Sequence, residues 1–256
     1  MKVAILAGGL GTRLTEETSV RPKPMVEIGG RPILWHIMKI YERHGFNDFV
    51  ILGGYKVEVI KQYFATYRQN SDDFTIDLQS GEIRWKRSTT EKWRVTILDT
   101  GINSMTGGRI KRAREELGGG TFCLTYGDGV SDIDLGALVA FHKRKGLAAT
   151  VTAVVPPGRF GFLGLSKDRE TVDAFREKDR QDVGLINGGF FVCEPSVFDL
   201  IDGDLTVWER EPMERLAQSG QLAAYVHSGY WQNMDTLRDK SVLEEAYEKG
   251  APWLAA

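Results

Sequence analysis

Cysteine is scarce: Cys123 and Cys193 are the two thiols in 256 residues, and both sit inside apolar runs. A pair so placed excludes a disulfide framework and reads as two buried small hydrophobes in a reducing compartment. Long apolar runs are missing as well. None reaches the ~18 residues of a membrane-spanning helix. The apolar start at residues 3–7 is too short for a signal-peptide core. A soluble, cytoplasmic protein is the expectation. Neither sign of charge prevails, since 33 Lys plus Arg against 35 Asp plus Glu leave a net charge of -2. The overall field therefore attracts neither nucleic acid nor an anionic membrane, and a nucleotide must be held by local groups. The Gly-Lys-Ser/Thr ending of a P-loop is absent. The dinucleotide fingerprint fails where Leu14 stands three residues after Gly11.

What is present is alternation. Residues 3–7 form an unbroken apolar run closed by Gly8-Gly9, the pattern of a strand buried on both faces. Pro32 opens a helix carrying Ile33, Ile37, Ile40 and Tyr41. Further strands are expected at 49–52, 95–98, 121–125 and 149–155, with helices at 57–64, 109–117 and 135–145 between them. This order predicts an α/β fold, a doubly wound and mostly parallel sheet of Rossmann-like type. After Pro156 the pattern shifts to short strands and turns. Strands at 186–193 and 222–226 and a terminal helix at 236–248 follow. Residues 68–94, polar and charged with a hairpin signal at Gly81, read as an inserted flap.

The first loop runs Leu6-Ala7-Gly8-Gly9-Leu10-Gly11-Thr12-Arg13. Its glycines let backbone approach a ligand, consecutive N–H groups make an anion-binding concavity, and Arg13 adds a cationic fork. A tight turn without ligand is the alternative. Lys23 follows between Pro22 and Pro24. Each proline biases its predecessor away from helix, which predicts a stiff, extended segment holding an ammonium near the loop. A solvated loop lysine is the plainer reading. Asp128 lies just after a strand, between Gly127 and Gly129, and Asp235 precedes the terminal helix. Either a metal site or, separately, a turn aspartate and a helix N-cap would account for them.

The stretch Gly8 to Leu14 with Lys23-Pro24-Met25 resembles the signature of nucleotidyltransferases that act on sugar phosphates. Residues 27–36, 104–109, 125–130, 156–161, 186–192 and 231–240 are similar to the corresponding segments of the glucose-1-phosphate cytidylyltransferase family. The resemblance spans nearly the whole chain and is weakest across 68–94. It implies a single domain over 1–256, with about 1–155 binding the nucleotide and 156–256 forming a smaller sugar-binding lobe.

It also implies CTP and glucose 1-phosphate as substrates, CDP-glucose and pyrophosphate as products, and a homo-oligomer, with a hexamer as one candidate assembly. The choice of CTP over UTP or dTTP rests on the resemblance. The same chemistry on another pair, or a non-catalytic sugar-nucleotide sensor, are the alternatives.

The site the resemblance implies is as follows. Asp128 and Asp235 bind Mg2+. Arg13, Lys23 and Asp128 are catalytic. Leu6 through Arg13, with Lys23, Ser104, Gly108 and Arg109, hold the nucleotide. Arg109 reaches an acceptor on cytosine or a phosphate. Tyr126, Glu177, Lys178 and Asn187 hold the sugar phosphate. Asp179 stands where the family's Glu-Lys-Pro has its proline. On the residues alone, Glu177 and Lys178 read as a solvated pair, and Asn187 either as an amide for a sugar hydroxyl or as a buried amide satisfied by backbone. Tyr126 and Trp231 either cover the ligand or are core aromatics, and Gly107-Gly108 is either part of the nucleotide-reading loop or a flexible loop before a helix.

Overall fold

Val3–Ala7 is buried along its whole length. Its side chains alternate between two separate cores: Val3, Ile5 and Ala7 belong to one, Ala4 and Leu6 to the other. The Asp48–Gly53 and Phe122–Tyr126 strands divide in the same way, Phe49, Ile51 and Cys123 on one face, Val50, Leu52 and Leu124 on the other. A strand buried on both faces reads as a continuous apolar run, which is why these were legible. The computed structural model describes residues 1–86, 91–156 and 184–255, together with the backbone of 162–165 and 172–176.

Seven strands make the central sheet. In spatial order they are Leu222–His227, Ala149–Val154, Ile186–Cys193, Phe122–Tyr126, Val3–Ala7, Asp48–Gly53 and Arg94–Asp99. Ile186–Cys193 runs antiparallel to both its neighbours, and every other pairing is parallel. The sheet is therefore doubly wound and mostly parallel. The Val3–Ala7 and Phe122–Tyr126 strands both end at the same edge, where an open parallel sheet receives its ligands.

Several expectations shift. Pro32 is the residue before the Ile33–Arg43 helix, with extended backbone, not its first turn. The helix expected at 109–117 opens earlier and breaks: Thr106–Arg112, then Arg114–Leu117. Lys23 is not in an extended segment. Pro22 is extended, and Lys23–Met25 is one 3-10 turn, because a single turn needs only the Met25 and Val26 N–H groups, which proline leaves intact. The Glu211–Gln218 helix and the Pro195–Leu200 3-10 turn were not read from the sequence. Around Gly81, Phe74–Ile76 pairs antiparallel with Ile83–Trp85. No described helix is long and apolar enough to cross a membrane.

Candidate active site

The site is assembled by a small antiparallel ribbon that the sequence pattern did not announce. Gly129–Ser131 pairs with Trp231–Asn233, with Gly129 opposite Asn233. The Met234 N–H then donates to the Asp128 carbonyl (2.8 Å). This register carries Asp128 and Asp235, 107 residues apart by number, to one point at the sheet edge. The Lys23 ammonium bridges them, 2.6 Å from Asp128 Oδ2 and 2.5 Å from Asp235 Oδ1. Arg13 Nη1 lies 3.1 Å from Asp235 Oδ2, and Asn233 Nδ2 donates to the same oxygen (2.8 Å).

Burial pulls the Lys23 ammonium down, but the two carboxylates more than offset it and hold the group above its usual 10.5. Asp235 is not the helix cap. Thr236 caps Leu237–Glu248, in a reciprocal pair with Asp239 that satisfies both backbone N–H groups.

Two adjoining cavities meet at Asp128 and Tyr126. One, of about 240 Å³, is lined by Leu6, Ala7, Gly8, Gly9, Lys23, Ser104 and Arg109. The other, of about 380 Å³, is lined by Arg13, Asn187, Glu209, Trp231, Asn233 and Asp235. Leu10, Gly11, Thr12 and Gly108 line neither. Gly11 takes the left-handed backbone (φ 65°), and a Cβ there would lie 2.7 Å from Thr18 Cγ2.

The loop after the third parallel strand behaves differently from its reading. Gly107 and Gly108 are helical and buried, not a flexible loop. A Cβ on Gly108 would fall 2.3 Å from the Asp204 carbonyl, so this glycine serves close packing against residues 203–206. Arg109 lines the cavity of the glycine loop and turns its guanidinium to backbone. It donates to the carbonyls of Gly8 (2.9 Å), Gly53 (3.0 Å) and Gly101 (2.7 Å), and to Thr100 Oγ1 (2.8 Å). It thereby ties together the ends of three adjacent strands. A Cβ on Gly8 would lie 2.2 Å from Arg109 Nη1, so that glycine accommodates the arginine. Ser104 Oγ donates to the Thr100 carbonyl (2.5 Å).

In the second cavity, Tyr126 OH donates to Glu209 Oε1 (2.7 Å) and accepts from Asn187 Nδ2 (3.1 Å). Asn187 is exposed, not a buried amide, and its Oδ1 takes the Gly189 N–H (2.8 Å). Trp231 Nε1 donates to the Gly188 carbonyl (2.7 Å). Glu177 and Lys178 lie outside the described residues. Sequence reasoning missed Asn233 and Glu209. Asn233 ends its strand two residues before Asp235, close enough for its amide to reach that carboxylate. Glu209 had no signal, because a Glu-Arg-Glu run reads as solvated surface.

A strand-end glycine loop, a lysine and two carboxylates at the mouth of a doubly wound sheet define a class of enzymes that handle phosphates. The nucleotidyl transferase family model matches residues 2–239, and the chain belongs to that family. It is 56% identical to glucose-1-phosphate cytidylyltransferase of Salmonella typhi, over 99% of this chain and 98% of the relative. Identity to the probable glucose-1-phosphate cytidylyltransferase of Bacillus subtilis is 44%, over 98% and 97%. Among solved structures, HddC from Yersinia pseudotuberculosis superposes with a TM-score of 0.70 at 23% identity, covering 96% of this chain and 99% of the other. UDP-glucose pyrophosphorylase with UDP-glucose gives 0.68 at 18% identity, covering 97% and 98%.

Proposed function

We propose that this chain transfers the cytidylyl group of CTP to α-D-glucose 1-phosphate, giving CDP-glucose and pyrophosphate. The observation that carries the reading is the meeting of Asp128 and Asp235 on Lys23 where the two cavities join. Nearly full-length similarity to cytidylyltransferases supports the choice of substrates.

The sugar phosphate oxygen is already ionised, so the reaction calls for no general base. Its phosphate attacks the α-phosphorus in line, and pyrophosphate leaves opposite. The protein's part is positioning and charge stabilisation. Lys23, at the shared edge, offers its charge to the transferring phosphoryl. Arg13 is largely exposed (72%) and offers its own to the triphosphate. Ser104 and the backbone around it face the base, with Arg109 holding that wall. Asn187 and Tyr126 meet the sugar, with Glu177 and Lys178 completing that side.

The residues present suit a magnesium ion. Two carboxylates already share one cation, and among the described residues no third acidic, His or Cys ligand joins them. Mg2+ prefers this arrangement, one or two carboxylates with phosphate oxygens and water. Held by Asp128 and Asp235, it would supply positive charge to the phosphate oxygens. A homo-oligomer, a hexamer among the candidates, belongs to the same proposal. Exposed Phe74, Ile76 and Leu78 on the 68–94 segment support it.

Pyrophosphate release over four triphosphates and several hexose 1-phosphates tests the reading. CTP with glucose 1-phosphate is expected to lead, with discrimination against UTP of up to about 10⁴ in kcat/KM where a cytosine amine contact is built in. Equal efficiency with dTTP would overturn the substrate choice and leave the family's chemistry standing.

A further inference from the structure

Thr106 and Glu209 complete a chain of hydrogen bonds that crosses between the two cavities. Glu209 Oε2 accepts from Thr106 Oγ1 (2.6 Å), and its Oε1 accepts from Tyr126 OH (2.7 Å). Tyr126 OH accepts in turn from Asn187 Nδ2, and Thr106 Oγ1 accepts the Trp208 N–H (2.9 Å). Thr106 is the first residue of its helix, two residues from Ser104, and lines the cavity of the glycine loop. Asn187 and Glu209 line the other cavity, and Tyr126 lines both. One carboxylate is thus hydrogen-bonded by donors from either side. A carboxylate suits this place because its two oxygens can each accept from one hydroxyl.

We propose that Glu209 is a positioning residue that couples the two substrates: the first to bind orders Thr106, Glu209, Tyr126 and Asn187, and the second then binds more tightly. The inference rests on the reading of the chain as a cytidylyltransferase. Glu209 and Asn187 are exposed, so their side chains have freedom to lose when a ligand covers them. That cost falls once, on whichever substrate arrives first, and linkage makes the effect reciprocal.

The test is calorimetric binding of α,β-methylene CTP, a form that is not cleaved, with Mg2+ present and with or without saturating glucose 1-phosphate. Wild-type protein is expected to bind the analogue at least about five-fold more tightly when the sugar phosphate is present. In Glu209→Ala that factor falls below about two-fold, while the dissociation constant of each ligand alone changes less than the coupling does. Tyr126→Phe lowers it to the same level, and the double variant goes no further. Glu209→Gln keeps one acceptor and recovers part of the coupling.

A wild-type factor in Glu209→Ala would overturn the proposal. Wild-type protein that binds both ligands without coupling would overturn it too, and leave the proposed reaction standing. Wild-type protein that binds neither would remove both.

Discussion

Asp235 illustrates how the choice between two uses of one side chain is made. As a residue it suits a helix cap or a metal equally well. The cap is already supplied by Thr236 with Asp239, and Asp235 instead faces Lys23 and Arg13. Asp235→Asn is therefore expected to leave the melting temperature near that of the wild type and to lower kcat by about 10² or more, the scale of a lost transition-state charge contact. Near-normal turnover in that variant would remove Asp235 from the site.

Lys23 gives a prediction in pH. Its ammonium is held above 10.5, so its charge is retained through neutral and mildly alkaline pH and is lost as pH rises through the folded value. No alkaline limb of kcat from Lys23 is expected between pH 7 and 9. Lys23→Ala is expected to lower kcat more than it raises KM for glucose 1-phosphate. A variant altered in KM alone would assign Lys23 to binding and not to the reacting phosphoryl.

At the scale of elements, Arg109 acts as a clamp. The strands ending at Ala7, Gly53 and Asp99 are parallel neighbours, and two backbone bonds tie the residues just past them, Tyr55 N–H to the Gly8 carbonyl (3.2 Å) and Thr100 N–H to the Gly53 carbonyl (3.0 Å). Arg109, 4% exposed, adds a side-chain tie through the carbonyls of Gly8, Gly53 and Gly101, at or just past the three strand ends. Arg109→Lys replaces a planar fork by a point charge; the Gly8 and Gly53 carbonyls keep the Tyr55 and Thr100 N–H groups, while the guanidinium's bonds to Gly8, Gly53, Gly101 and Thr100 cannot all be kept. The substitution is expected to cost on the order of 3 kcal/mol of stability, read by denaturant unfolding. CTP binding should weaken as well, because the Gly8 carbonyl is one of the groups released. Unchanged stability with weakened CTP binding would instead point to direct contact with the nucleotide.

For the whole molecule, the C-terminal segment docks through His36. The imidazole donates from Nε2 to the Ile28 carbonyl (2.8 Å) and accepts at Nδ1 from Trp253 Nε1 (3.2 Å), an arrangement that requires the neutral ring. Burial holds His36 below its usual 6.5. Above that value both folded and unfolded chains are neutral here and the stability is complete. As pH falls below 6.5 the unfolded chain takes the proton first, so stability declines down through the folded value. The melting temperature is expected to drop between pH 7 and 5, and to drop less steeply in His36→Asn. Equal slopes would show that other groups set the acid limb.

The strands at 3–7, 49–52 and 121–125 were readable because each is buried on both faces, and a two-sided core demands unbroken apolar runs. The helix expected at 135–145 is Leu135–Lys145, with Leu135, Leu138, Val139 and His142 buried along one face and the left-handed backbone of Gly146 stopping it. The glycine loop and the lysine turn were legible as chemistry because both are local. What no local pattern contains is the pairing of Gly129–Ser131 with Trp231–Asn233, a contact of about 100 residues' separation in strands only three residues long. Periodicity has too few residues there to register. Yet that ribbon brings Asp128 to Asp235, and the backbone tie made by Arg109 depends on three strand ends meeting. The sequence by itself determined the doubly wound sheet and the types of residue at its mouth. Only the tertiary structure decided which of them face one another, because distances between separate elements are set by packing and not by spacing along the chain.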